Sequence, residues 1–240
     1  MRVVCISDTH GQHHMLTTLP DGDMLIHAGD FASHGRIDDC MRALHWLNAQ
    51  PFKYRVVIAG NHDCFMDVDL PGGGELGISQ SAIDAIIPKG EGFHYLHDSG
   101  VEIEGIKFWG SPVTPNFMDW AFMAPRGPAL RQQWEMIPEG TDILITHGPC
   151  FGIVDQCPNF TDPNGPWIHV GDEDLLVAVK RIKPRVHVSG HIHAGHGHLV
   201  QRRTLFINAS VCDEAYNPTH KPQVFDINLS TKEVNLVHIY

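Results

Sequence analysis

Five short apolar runs in this chain each end in a polar cluster rich in groups that ligate metals or carry protons. Val3 to Ile6 leads into Ser7-Asp8-Thr9-His10, and Met24-Leu25-Ile26 leads through His27-Ala28 into Gly29-Asp30. Val56 to Ala59 leads into Gly60-Asn61-His62-Asp63, Ile143 to Thr146 into His147-Gly148, and Val186 to Ser189 into Gly190-His191-Ile192-His193. Singly these are weak signals: Asp-x-His is often a solvated turn, Gly-Asp a common turn, and His-x-His a frequent surface pair. Jointly they collect carboxylate, imidazole and amide donors, which suit hard or borderline divalent ions such as Mn, Fe, Zn or Ni. Two cations in one cluster require a bridging anion, and a carboxylate with lone pairs on two faces can provide it. Such a pair, ~3.5–4 Å apart, lowers the pKa of bound water toward ~7 and clamps phosphoryl oxygens for in-line displacement.

Positioning these groups requires elements that end together. The five runs are short, rich in Val and Ile, and bounded by Gly, Asp and Asn, so they read as buried strands. Catalytic groups at the carboxyl ends of strands are the usual arrangement in α/β folds. Between them, Ile37, Met41, Leu44 and Leu47 recur at helical spacing behind Asp38 and Asp39, where the helix dipole favours negative charge. Asp172 to Ile182 is acidic at its start, basic at Lys180 and Arg181, and stopped by Pro184. The stretch Thr204 to Ile239 alternates and is broken by turns, which predicts antiparallel strands. Pro71 to Gly74 predicts a flexible loop. Ser111 to Pro128, with four prolines, predicts an irregular functional loop. No repeat or linker divides residues 1–240, which are expected to form one domain.

Composition narrows the partners. With 42% hydrophobic and 19% charged residues the chain is ordinary globular protein. A net charge of −11 argues against stable nucleic-acid binding. No segment is long and apolar enough to span a bilayer, and Met1 to Ile6 runs into Ser7-Asp8 without a small-residue cleavage site. Cys5, Cys40, Cys64, Cys150, Cys157 and Cys212 lack the Cys-x-x-Cys spacing of a zinc site and are expected to be mostly buried in a reducing, cytoplasmic setting. The 18 histidines exceed what one site can use. Their positions must decide which carry chemistry.

The ordered set Asp-x-His, Gly-Asp, Gly-Asn-His-Asp, His-Gly and Gly-His-x-His resembles the calcineurin-like metallophosphoesterase superfamily. Gly110-Ser111-Pro112, Asp119-Trp120-Ala121-Phe122 leading to Pro125-Arg126-Gly127, Thr146-His147-Gly148-Pro149 and Asn208-Ala209-Ser210 resemble its metallophosphoesterase-domain (MPPED) branch, grouped with class III cyclic nucleotide phosphodiesterases. The resemblance runs from Asp8 to about Asp226 and implies a four-layer αββα sandwich of two mixed sheets flanked by helices. It implies that Asp30 bridges two divalent metals, with Mn the expected ion in vitro. Asp8, His10 and His193 would complete one metal site, and Asn61, His147 and His191 the other. It also implies that His62 is the catalytic proton donor and, with Asn61, a phosphate contact. One departure stands out. Related phosphatases often place an acid three residues after the bridging Asp to orient this histidine, and here that residue is Ser33.

The remaining candidates have plainer readings beside the functional ones. Trp120 and Phe122 can stack on a nucleotide base or pack in the core. Arg126 can meet a phosphate or carboxylate or pair with Asp119. Asp63 is expected to make a structural hydrogen bond, and His13 and His14 to be solvated. His27 and His187 are expected in the core, while His196 and His198 are candidates for supporting the ligands from behind. The function these readings converge on is hydrolysis of small organic phosphodiesters or cyclic nucleotides by a metal-bound hydroxide. The alternatives are a phosphomonoesterase or protein phosphatase, and a nucleotide-binding protein with little turnover. The oligomeric state is not legible in the sequence.

Overall fold

The computed structural model describes residues 1–74, 77–159, 161–162 and 164–238. The strands of its two large sheets are, in chain order, β1 (Arg2–Ile6), β2 (Met24–Ala28), β3 (Tyr54–Ile58), β4 (Phe93–Tyr95), β5 (Ser99–Ile103) and β6 (Ile106–Ser111). They continue as β7 (Ile143–Thr146), β8 (Val186–Ser189), β9 (Gly197–Gln201), β10 (Thr204–Asn208), β11 (Gln223–Ile227) and β12 (Val234–Val237). One six-stranded sheet has the order β12-β11-β1-β2-β3-β4, with β1 to β4 parallel and β11 and β12 antiparallel. The other has the order β9-β10-β8-β7-β6-β5, parallel at its centre with antiparallel strands at both edges.

The near-continuous apolar runs of the central strands follow from burial on both faces. Val3, Cys5, Ile26, Val56 and Ile58 of the first sheet pack against Ile143, Ile145, Val186, Val188 and Ile207 of the second. The alternate residues Val4, Ile6, Leu25 and Val57 face the helices α1 (Ile37–Ala49) and α2 (Gln80–Ile86), meeting Ala43, Leu44, Leu47 and Ile83. On the outer side of the second sheet, Leu144 and Phe206 meet α3 (Pro128–Glu135) and α4 (Glu173–Ile182) through Leu130, Trp134, Leu175 and Val179. The result is the four-layer αββα sandwich.

Three sequence expectations need correction. α1 forms where expected, but Ile37 and Met41 are 40% and 44% exposed, and the buried stripe is Cys40, Ala43, Leu44 and Leu47. Leu44 and Leu47 are buried as expected, while small residues at Cys40 and Ala43 take the places that apolar size alone assigned to Ile37 and Met41. The run Thr204 to Val237 is not purely antiparallel, because β10 lies parallel to β8; Ile239 lies outside the described residues. His13 is buried against Trp46, with ring centroids 5.2 Å apart, instead of solvated. α4 is capped as its acidic start implies: the Asp172 carboxylate accepts from the N–H groups of Asp174 at 2.7 Å and Leu175 at 3.2 Å.

His27 and His187 do lie in the core. His187 Nε2 meets Thr146 Oγ1 at 2.8 Å, and His27 Nε2 meets Thr9 Oγ1 at 3.1 Å. Burial pushes the His187 imidazole from 6.5 down to about 3, so it stays neutral in the fold where the unfolded chain would bind a proton. Its contribution to stability is therefore present above pH 6.5 and lost as pH falls toward about 3. His187→Gln should flatten the acid limb of the urea-unfolding free energy by up to about 1.4 kcal/mol per pH unit. An unchanged slope between pH 6.5 and about 4.5 would contradict the neutral burial of His187.

Candidate metal centre

The five clusters come from both sheets. Asp8 and His10 follow β1, Asp30 follows β2, and Asn61 and His62 follow β3, all in the first sheet. His147 follows β7, and His191 and His193 follow β8 in the second. The sheets are joined at this end by a bridge between Ser7 and Ser210, and Val211 N–H donates to the Ser7 carbonyl at 2.9 Å. Loop-to-loop bonds tighten the junction: Asp8 N–H to Gly29 O, His10 N–H to Asp30 O, and Gly190 N–H to His147 O. Asp8, His10, Asp30 and His191 are held at φ of 55°, 44°, 56° and 65°. This left-handed region costs a non-glycine residue roughly 1–3 kcal/mol, and it clusters at functional sites.

The side chains meet in three overlapping groups, one of them His10, Asp30 and His62, and the other two hold the remaining Asp and His candidate ligands. Ligand atoms of Asp8, His10 and His193 lie within 4.8 Å of one another, and those of Asp30, His147 and His191 do the same. Asp30 Oδ2 stands between these two groups, 3.2 Å from His147 Nε2 and 3.9 Å from His10 Nε2. Asn61 Oδ1 is 2.9 Å from His147 Nε2, and His10 Nε2 is 3.1 Å from His193 Nε2. Three histidines are aimed by main-chain carbonyls on their other ring nitrogen: His147 Nδ1 on Ala28 O, His193 Nδ1 on Asp213 O, and His62 Nδ1 on Ser33 O. Fixing Nδ1 this way presents Nε2 to the cluster, as metal-binding histidines require. Behind Asp8, Ser210 Oγ donates at 2.7 Å and the His191 N–H at 3.0 Å. Asn208 Nδ2 holds the carbonyl of Ile192 at 2.8 Å.

The donor set fits divalent cations. Asp8 and Asp30 are buried, and among the described residues neither pairs with a lysine or arginine. Burial pushes His10 down to about 4 and His191 to about 3, which keeps both imidazoles in their ligating neutral form. Burial also opposes charge on His147, yet the Asp30 carboxylate overrides it and raises His147 to about 9. A proton thus sits beside Asp30, where a cation would displace it. Burial disfavours the charged Asp30 carboxylate, but the charge and hydrogen bond of His147 hold its pKa below the usual carboxylate range.

Two glycines explain why Gly precedes these ligands. A Cβ on Gly60 would fall on Asp30 Oδ1 and His147 Cε1, and one on Gly190 on Ser7 Oγ and Asp8 Oδ2. Asp63 does not orient His62. Its carboxyl accepts from the N–H groups of Ala32 at 2.7 Å, Gly60 at 2.8 Å and Phe31 at 3.3 Å, tying the Asp30 and Asn61 loops together. The partner of His62 is the carbonyl of Ser33, at 3.2 Å. The main chain thus fills the place of the missing acid.

Trp120 stacks on His62 with centroids 4.2 Å apart and 26° between planes, while its neighbour Ala121 donates to Asn61 O. Phe122 is buried in the core, so it is not free to meet a base. Arg126 pairs with Glu173 at 2.8 Å and donates to the carbonyls of Gly171 and Val170, so Asp119 is not its partner. The His196 ring stacks on His220, and His198 bonds Gln223; neither side chain touches a candidate ligand, though the His196 main-chain N–H donates to the His193 carbonyl at 3.1 Å. Tyr216 escaped the sequence reading. Its ring lies 4.7 Å from that of His10, 5.1 Å from His193 and 6.2 Å from His62. The polar cluster after the Thr204–Asn208 run was the available signal, since the other site strands end the same way.

Comparison with known proteins shows the family and the fold. The calcineurin-like phosphoesterase family matches residues 1–195, which include every residue of the two ligand groups. Metallophosphoesterase domain-containing protein 1 of Homo sapiens is 39% identical over 240 residues, covering 94% of this chain and 71% of its own length, and the Mus musculus protein of that name gives the same figures. TT1561 of Thermus thermophilus shares the fold, with a TM-score of 0.60 at 12% identity over 98% of this chain and 97% of its own. The chain belongs to the calcineurin-like phosphoesterase family, whose members are metal-dependent phosphoesterases.

The glycine argument is testable apart from turnover. Gly60→Ala should fold but bind Mn(II) or Co(II) about tenfold more weakly or worse, whereas Gly74→Ala, whose Cβ meets nothing within 4 Å, should bind as wild type. Equal metal affinity in all three proteins would refute the close-packing account.

Proposed function

We propose that this chain is a dimetal phosphodiesterase acting on small organic phosphodiesters, cyclic nucleotides among them. The observation that carries the reading is the placement of Asp30 Oδ2 between two ligand groups, as a bridge between two cations requires. Asp8, His10 and His193 would hold one ion, Asn61, His147 and His191 the other, with Asp30 shared; Mn, Fe, Zn or Ni all suit these donors. When bound, the two cations ease ionisation of the attacking water and offset charge on the phosphoryl oxygens.

The protein's own part is to orient and to deliver a proton. His62 is clamped by Ser33 O through Nδ1 and by Trp120 through stacking, while its N–H donates to Asp30 Oδ1 at 2.7 Å. A ring nitrogen lies within 4.8 Å of ligand atoms of His10 and Asp30. From there His62 can protonate a leaving oxygen and stabilise phosphate charge. Tyr216 and Trp120 flank it, and both offer surface to the organic part of an ester. A diester monoanion suits a centre without a paired lysine or arginine better than a monoester dianion does. Of the two arginines nearest the motifs in sequence, Arg126 is engaged by Glu173 and Arg36 is exposed.

Two experiments follow. Asp30→Asn should lose metal from both sites. His62→Ala should keep near-wild-type metal content and lose roughly 10²–10⁴ in turnover of diesters with poor leaving groups. The loss should shrink for nitrophenolate esters, and equal losses for good and poor leaving groups would remove His62 from the proton-donor role. Secondly, kcat/KM for bis(p-nitrophenyl) phosphate should exceed that for p-nitrophenyl phosphate at the same metal and pH, after correction for uncatalysed rates. A clear win for the monoester would replace the diesterase reading with a phosphomonoesterase.

A further inference from the structure

At the amino-terminal ends of β7 and β8, opposite the candidate metal centre, a cleft of about 540 Å³ opens between strands of the two sheets. Its walls are strands and turns, and they carry Arg185, Arg202, Arg203 and Lys232 against the single carboxylate of Glu233. In a chain with 17 Lys and Arg against 28 Asp and Glu, this is a local reversal of charge. Most arginines of the molecule are engaged. Arg2, Arg42, Arg126, Arg131 and Arg181 form ion pairs, and Arg55 donates to the carbonyl of Glu91 at 3.1 Å. Among the described residues, four guanidinium groups have neither an ion pair nor a hydrogen bond, and three of them, Arg185, Arg202 and Arg203, are gathered here, with Arg36 the fourth.

We propose that this cleft is a binding site for a small, multiply charged phosphate anion. Three uncompensated guanidinium groups around one concavity repel one another and concentrate positive potential. Their planar forks match pairs of phosphate oxygens. Lys232 is paired with Asp142 at 2.7 Å, so the uncompensated charge of the cleft rests on the three arginines. The volume lies within the range of small-molecule sites. A macromolecular polyanion fits less well, because the net charge of −11 repels it over the rest of the surface.

The cleft lies at the far ends of the strands that carry part of the candidate metal centre. Arg185 N–H donates to Asp142 O at 2.7 Å, and these residues head β8 and β7. His147 and His191 follow the other ends of the same strands, about 20 Å away for a strand rise of ~3.3 Å per residue. Arginines beside the edge strand β9 also discourage edge-to-edge pairing between molecules, so the experiment must separate the two roles.

Tripolyphosphate is the probe, titrated calorimetrically into the intact protein and into variants whose melting temperatures match it. One anion per chain should bind, more weakly as salt is raised. The double variant Arg185→Gln/Arg203→Gln should bind at least tenfold more weakly while hydrolysing bis(p-nitrophenyl) phosphate at the wild-type rate. Asp30→Asn, which tests for binding at the metal centre instead, should bind tripolyphosphate as wild type does. Undiminished binding in the double variant, or binding lost in Asp30→Asn, overturns the proposal. So does tighter, arginine-dependent binding of polyglutamate than of tripolyphosphate, which would make an acidic chain the occupant.

Discussion

A carboxylate sealed from water needs compensation for the hydration it gives up, and Asp30 obtains it without a lysine or arginine. Burying an ion costs several kcal/mol even after relaxation. Around Asp30 that cost is met by the His62 N–H and the imidazole of His147, with His10 close behind. Each of these comes from a different loop. The loops must therefore converge, and the convergence shapes the whole end of the sandwich. Gly60 exists to let Asp30 in, and Asp63 ties the two loops beside it through main-chain N–H groups. Four residues accept left-handed backbone where the chain turns from strand into site.

The molecule has two unlike poles. At the carboxyl ends of the central strands, acidic and imidazole groups are gathered with acceptor atoms facing inward. At the amino ends of β7 and β8, arginines gather without acidic partners. The strands between are buried on both faces and rigid, so neither pole can adjust its spacing independently of the sheets. Ligand geometry is set by strand register, and short Nδ1-to-carbonyl bonds finish the alignment.

Much of this was legible in the sequence because strand-and-site is a local pattern. An apolar run followed by Gly and a ligating residue marks both the element and its working end, and all five such runs are site strands. The fold class followed from the same residues. What stayed hidden depended on distant chain. Nothing near His62 says that Ser33 contributes its carbonyl and not its side chain, since any residue has a carbonyl. Tyr216 sits in a turn without periodicity. The burial of His13 depends on Trp46, and the engagement of Arg126 depends on Glu173, partners that local spacing does not reveal. The stripe of α1 was placed only in part, at Leu44 and Leu47, because Cys40 and Ala43 bury well while being small.

Ser210 and Asp8 are hydrogen-bonded at 2.7 Å although 202 residues separate them, and β1 lies beside β11. Contacts of such long range are slow to form, because loop closure must precede any gain from them. During synthesis the first three strands and their acidic and histidine side chains emerge well before their partners His147, His191, His193 and Ser210. Until then Asp8 and Asp30 remain hydrated and free of strain. The candidate ligand cage is consequently complete only in a chain whose two sheets have already met.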